Sequence, residues 1–164
     1  MNYQGINKPA FYSYSFLNKL GDTELLNADS SSFTCKNSNG DIQVLFWDFS
    51  NTHPGDSVNN QVYFLRDLPA RPKGKVQVRI SGIPEGNYLF EIYQTGYRVN
   101  DPYASYLVLN RPGQLTRQQV DGIKKLNDGS PVLKEIIKIN SAGIFSKELE
   151  IRENDVFLFN LTKL

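Results

Sequence analysis

The sequence predicts a mainly β protein, an antiparallel two-sheet β-sandwich with an N-terminal helix and one short inserted helix, and three observations carry that prediction. After Gly21 the chain breaks into short runs rich in Val, Ile, Phe and Tyr, separated by clusters of Gly, Pro, Asn and Asp. Several runs alternate apolar and polar residues with the period of two that a half-solvated strand needs, as Val76, Val78 and Ile80 do with Gln77, Arg79 and Ser81. Helix start and stop signals frame the first 21 residues and recur in one later stretch.

The N-terminal helix is predicted over residues 8–20. Asn7 is placed to cap it, Pro9 falls in the first turn where a missing N–H costs little, and Gly21 ends it. Its apolar residues Ala10, Phe11, Tyr14, Phe16, Leu17 and Leu20 spread over more than one narrow stripe, so the helix needs a broad apolar partner. Strands are predicted near 32–36, 42–49, 61–66, 75–81, 88–95, 104–109, 133–139, 144–151 and 155–161. The run from Ile42 to Phe49 is apolar on both faces and reads as a central strand covered on both sides, with Leu45, Trp47 and Phe49 buried. Turns are expected at residues 37–40, 82–87 and 140–143. The inserted helix, at about 116–127, opens on the capping box Thr116-Arg117-Gln118-Gln119 and carries Val120, Ile123 and Leu126 on one face. The chain therefore divides into an N-terminal helical unit, 1–21, and a sandwich, 22–164.

Composition narrows the chemistry. The 164 residues carry 18 Lys and Arg against 17 Asp and Glu, a net charge of +1, so no bulk field recruits nucleic acid or an anionic membrane. No apolar run is long enough to span a bilayer, and the start lacks the pattern of a signal peptide, so the expectation leans to the cytoplasm. A single Cys, Cys35, and a single His, His53, exclude an intrachain disulfide and Cys- or His-paired metal sites, and no cofactor is expected. His53 reads as a surface-loop residue and Cys35 as a small strand residue. The sequon at Asn160 lies within a predicted strand and reads as chance.

Carboxylates are plentiful, but no spacing selects an acid and nucleophile pair. Asp48 and Glu91, which have the most apolar neighbours, read as satisfied structural groups. The basic run 66–80 reads as a solvated strand edge. The stretch 93–106 combines aromatic faces with amide and carboxylate neighbours, the parts from which sugar contacts are built. Tyr97, Asn100, Asp101 and Tyr103 are its candidate substrate-binding residues.

The stretches KPAFYSYSFLNKLGDTEL, LFWDF, NQVYFLRDLPA, GKVQVRISGIPEGNYLFEIYQTGYRVNDPYASYL, LTRQQVDGIKKL and RENDVFLFNL resemble, in that order, the C-terminal region of bacterial β-xylosidases of glycoside hydrolase family 39. The resemblance runs from about Gly5 to Leu161. It implies that residues 8–20 correspond to the last helix of a (β/α)8 catalytic barrel and the remainder to the sandwich that follows it. The barrel of that family performs a retaining hydrolysis with two glutamates, both outside this chain, so no catalytic residue carries over and the chain alone is not expected to be an enzyme. The implied role is an accessory one in xylan and xylo-oligosaccharide degradation. It consists of bracing the barrel of the same polypeptide, shaping the approach to its active site and supporting homo-oligomer contacts. Phe11, Tyr12, Tyr14 and Phe16 are the candidate interface residues, whose aromatic face is expected to seek a partner. The competing expectation is a free-standing carbohydrate-binding module for xylan-type sugars.

Overall fold

The structure is a computed structural model that describes residues 2–27, 29–50, 67 and 69–164. The expected strand at 61–66 and His53 lie outside the described residues. The described elements are helix α1 (Pro9–Leu17), strands β1 (Thr23–Glu24), β2 (Ser32–Lys36), β3 (Ile42–Trp47), β4 (Pro72–Ser81) and β5 (Gly86–Thr95), helices α2 (Pro102–Val108) and α3 (Arg117–Leu126), and strands β6 (Leu133–Ile139), β7 (Ile144–Arg152) and β8 (Val156–Lys163).

Strands pair antiparallel into a six-stranded sheet of order β1-β2-β3-β8-β5-β6 and a two-stranded sheet of β4 and β7. Alternation decides which side chains lie between them. Ile42, Val44 and Phe46 of β3, Tyr88, Phe90 and Ile92 of β5, and Phe157, Phe159 and Leu161 of β8 point inward and meet Val78 and Ile80 of β4 and Phe145 and Ile151 of β7. The opposite side of β4 and β7 is solvated and charged, with Lys75 paired to Glu148 at 2.7 Å, as expected for the basic run.

The other face of the large sheet is covered by α1. Tyr12 and Phe16 are buried against Leu45 and Leu158, with Leu20, Trp47, Tyr93 and Val156 packed around them. This explains the two-faced apolar texture of β3, which has the inter-sheet core on one side and a helix on the other. Gly21 makes that approach possible, because a Cβ there would lie 2.2 Å from the backbone carbonyl of Lys36.

Several expectations need correction. The stretch 104–109 is not a strand, since α2 occupies it. Asp101 accepts hydrogen bonds from the N–H groups of Tyr103 and Ala104, and Pro102 takes the first turn, so cap chemistry overrides the apolar texture of Tyr106, Leu107 and Val108. Helix α1 starts one residue later than a cap at Asn7 requires, with Lys8 at the N-cap and no side-chain cap, and its last residues tighten into turns from Lys19 N–H to Phe16 O and Leu20 N–H to Leu17 O. Strand β3 ends at Trp47, which is only partly buried, and Phe49 is 81% exposed beyond the cover of α1. The capping box opens α3 as read, with Gln119 N–H donating to Thr116 Oγ1 and Thr116 N–H to Gln119 Oε1.

Candidate functional site

Three features carry chemistry beyond the core. The first is a row of polar side chains across the face under α1. Gln43, Asn160, Glu91 and Lys134 are direct cross-strand partners on β3, β8, β5 and β6. Gly21 N–H donates to Gln43 Oε1 (3.0 Å), Gln43 Nε2 to Asn160 Oδ1 (3.3 Å), and Asn160 Nδ2 to Glu91 Oε2 (3.2 Å). Tyr93 Oη donates to the same oxygen (3.3 Å), and Lys134 Nζ lies 3.1 Å from Glu91 Oε1. Burial alone would push the Glu91 carboxyl up, but these bonds outweigh it and hold the group below the ordinary carboxylate range. Glu91 is thus the satisfied structural carboxylate that its apolar neighbours suggest.

The second feature is the turn between β7 and β8. Asp155 is 1% exposed and accepts from Arg152 N–H at 2.9 Å through Oδ2, while Oδ1 meets no hydrogen-bond geometry among the described residues. Gly96 faces it, since a Cβ at that residue would lie 1.9 Å from Asp155 Oδ1. Burial pushes this carboxyl up despite the Arg152 bond. Asp48 stands nearby but is held low: burial acts to raise it, while hydrogen bonds from Ser50 and Asn154 and the charge of Lys73 at 3.5 Å prevail. The folded state therefore holds the Asp155 proton more tightly than the unfolded chain does. Its contribution to stability is complete below the ordinary carboxyl range and is lost as pH rises through its folded value. Denaturant unfolding of Asp155→Asn across that range should show less loss of stability toward neutral pH than the parent shows. An equal loss in both proteins would mean that Asp155 does not titrate as its burial implies.

The third feature joins the N-terminal segment to the two inserted helices. Asn2 Oδ1 accepts from the N–H groups of Gln4 and Ile6, which folds residues 2–6 into a turn that drives Ile6 against Val120, Ile123, Leu109 and Leu115. Gln4 Nε2 donates to Leu115 O (3.3 Å), and Tyr12 Oη donates to Asn127 O at the end of α3. Between this turn, α2 and α3 lies a cleft of about 510 Å³ whose walls include Tyr3, Asn7, Tyr103 and Tyr106.

The sequence-selected residues divide between these places. Tyr97 Oη donates to Asp67 Oδ2 (2.9 Å), which Arg98 also pairs at 2.7 Å. Asn100 is buried at a φ of 47°, its amide donating to Gln94 O and accepting from Gly129 N–H. Asp101 is spent on capping α2 and on Arg98 N–H. Tyr103 alone of the four faces the cleft. Of the interface set, Tyr12 and Phe16 turn inward onto the chain's own sheet, because a helix lying on a flat face buries only one side; Phe11 at 44% and Tyr14 at 72% stay exposed. The cleft itself, built from segments about a hundred residues apart, has no local sequence signature beyond its tyrosines. Among the described residues no cluster of His, Cys, Asp and Glu could hold a metal ion, and no helix is long and apolar enough to cross a membrane.

An antiparallel sandwich with a helix laid across its outer face and a two-helix insertion is an architecture found in glycoside hydrolases, and solved structures of such enzymes match this chain. The family 39 enzyme from Xanthomonas axonopodis pv. citri matches at a TM-score of 0.90 and 26% identity, and a monomeric β-xylosidase from Caulobacter crescentus CB15 at 0.89 and 28%. Each match covers 100% of this chain and 32% of the enzyme, so the chain spans about a third of the length of these relatives. The bacterial orthologue of human α-L-iduronidase, at 15% identity and a TM-score of 0.71, shares the fold alone. No protein-family model and no curated protein sequence matches the chain. The fold is that of a region of family 39 glycoside hydrolases, as the sequence resemblance implies.

Proposed function

We propose that this chain is the non-catalytic accessory region of a family 39 β-xylosidase-like enzyme, which braces the catalytic barrel and shapes the approach to its active site. The observation that carries this reading is α1. Tyr12 and Phe16 anchor it to the sandwich, while Phe11, Tyr14 and Leu17, at 44%, 72% and 44% exposure, form a second apolar side that nothing among the described residues covers. A helix shared between two bodies has this two-sided burial, and the resemblance makes α1 the last helix of the barrel. In a (β/α)8 barrel the segment entering a helix is a β-to-α connection, and those connections form the catalytic face. On this reading residues 2–8 correspond to such a connection, and with α2 and α3 beside them the insertion would stand at the rim through which substrate passes.

The test is a chimaera in which this chain replaces the corresponding third of the Caulobacter crescentus β-xylosidase. The expected product is soluble and hydrolyses aryl xylosides. The pair Phe11→Glu and Tyr14→Glu should cost the isolated chain little, since exposed substitutions stay within about 0.5 kcal/mol, yet should abolish assembly of the chimaera. An active chimaera indifferent to both substitutions would remove the bracing role. A further expectation is that the chain alone hydrolyses neither aryl xylosides nor xylobiose. Turnover by pure protein that one Asp or Glu substitution abolishes would overturn that expectation.

A further inference from the structure

We propose that the cleft between residues 2–9 and helices α2 and α3 binds a neutral pyranose sugar of the xylose type, as an outer subsite on the path to the barrel. This inference rests on the accessory reading for the direction in which the cleft opens, and on the cleft's own chemistry for its ligand. Its volume of about 510 Å³ lies in the range of small-molecule sites. Tyr103 and Tyr106 stand side by side, ring centres 6.3 Å apart and tilted by 33°, with Tyr3 at the open rim, 89% exposed. Aromatic faces of this kind accept the C–H side of a sugar ring. The side chains of Gln4, Asn7 and Gln114 add amide donors and acceptors. Among the described residues of the lining Lys8 is the sole charged one and no carboxylate joins it, which disfavours a cation or a metal complex and suits a neutral polyhydroxyl ligand.

Two polar atoms of lining residues, Tyr103 Oη and Asn7 Oδ1, are buried and have no hydrogen-bond partner among the described residues. Such atoms cost stability, and folded chains keep few of them outside functional sites. A sugar hydroxyl can serve either one, donating to the amide oxygen or exchanging a bond with the phenol. Because both atoms are covered by the protein's own walls, binding requires a local shift of a wall. By contrast, the polar groups of Asn100 and Asp101 are already consumed within the protein, so the sugar chemistry read from residues 97–103 concentrates on Tyr103.

The experiment titrates the full chain with xylobiose, followed by amide chemical shifts and calorimetry. The expected result is a Kd on the order of 1 mM, with shifts confined to residues 2–9, α2 and α3. Tyr103→Phe and Asn7→Ala should each weaken binding about 3- to 10-fold, the value of one hydrogen bond. Tyr103→Phe should do so with unchanged or raised thermal stability, a combination that a merely structural hydroxyl does not produce. Tyr97→Phe should bind as the parent does. No binding of xylobiose, shifts elsewhere on the sandwich, or undiminished binding by both cleft variants would each overturn the proposal. Assembly of the chimaera without xylobiose binding defeats this inference and spares the accessory reading, whereas binding without assembly defeats the accessory reading and leaves the cleft as the site of an independent sugar-binding module.

Discussion

Phe159→Ala should lower the unfolding free energy by about 3–5 kcal/mol, the largest effect expected of a single side chain in this fold. Phe159 is fully buried on β8, the strand held between β3 and β5. Its ring stands edge-on to Phe46 and Phe90, each at 5.1 Å, and to Phe145 at 6.5 Å. Phe46 and Phe90 belong to the neighbouring strands and Phe145 to the opposite sheet, so one ring links three strands of one layer to the other layer. Alanine removes the transfer energy of the ring and leaves a void that the three surrounding strands cannot all close. Urea unfolding should show a lower midpoint with an unchanged slope. A loss below about 1 kcal/mol would mean that the sheets collapse onto the cavity and that the aromatic cluster is not the keystone of the core.

Glu91→Ala should cost about 2–3 kcal/mol, by a different route. The substitution strips Asn160 and Tyr93 of their shared acceptor on the face under α1 and leaves Lys134 without its partner. The ammonium of Lys134 can return to water because that side chain is 60% exposed, which keeps the cost below that of a wholly buried pair. Glu91→Gln keeps the shape and should recover about half of the loss. The pH dependence has a definite sign. With a folded pKa below its unfolded one, Glu91 contributes fully above the ordinary carboxyl range, and its contribution disappears as pH falls through the folded value. Asp155 acts in the opposite direction, so Glu91→Ala should flatten the acid limb of the stability profile while Asp155→Asn flattens the approach to neutrality. Identical acid limbs for Glu91→Ala and the parent would rule out this assignment.

The sequence by itself determined the parts of this protein that depend on near neighbours. The alternation of β4, the limits of β2 and β6 at 32–36 and 133–139, the capping box of α3 and the double-sided texture of β3 were all legible, because period and cap chemistry involve residues a few positions apart. The start of α2 is of the same local kind: Asp101 followed by Pro102 is a helix start, and six residues of apolar texture do not outweigh it. The long collinear resemblance supplies what periodicity could not, the proposal that the N-terminal helix is apolar on two sides because a barrel shares it. Only the tertiary structure decided which of those sides is buried. Tyr12 and Phe16 face the sheet while Phe11 and Tyr14 do not, a choice set by where α1 crosses β3, β8 and β5. Register likewise aligned Gln43, Asn160, Glu91 and Lys134, residues scattered over more than a hundred positions, and the return of α2 and α3 onto residues 2–9 made a cleft from separate tyrosines. Such features rest on contacts between distant segments, whose energies depend on the packing of the whole sandwich and leave no trace in any short window of sequence.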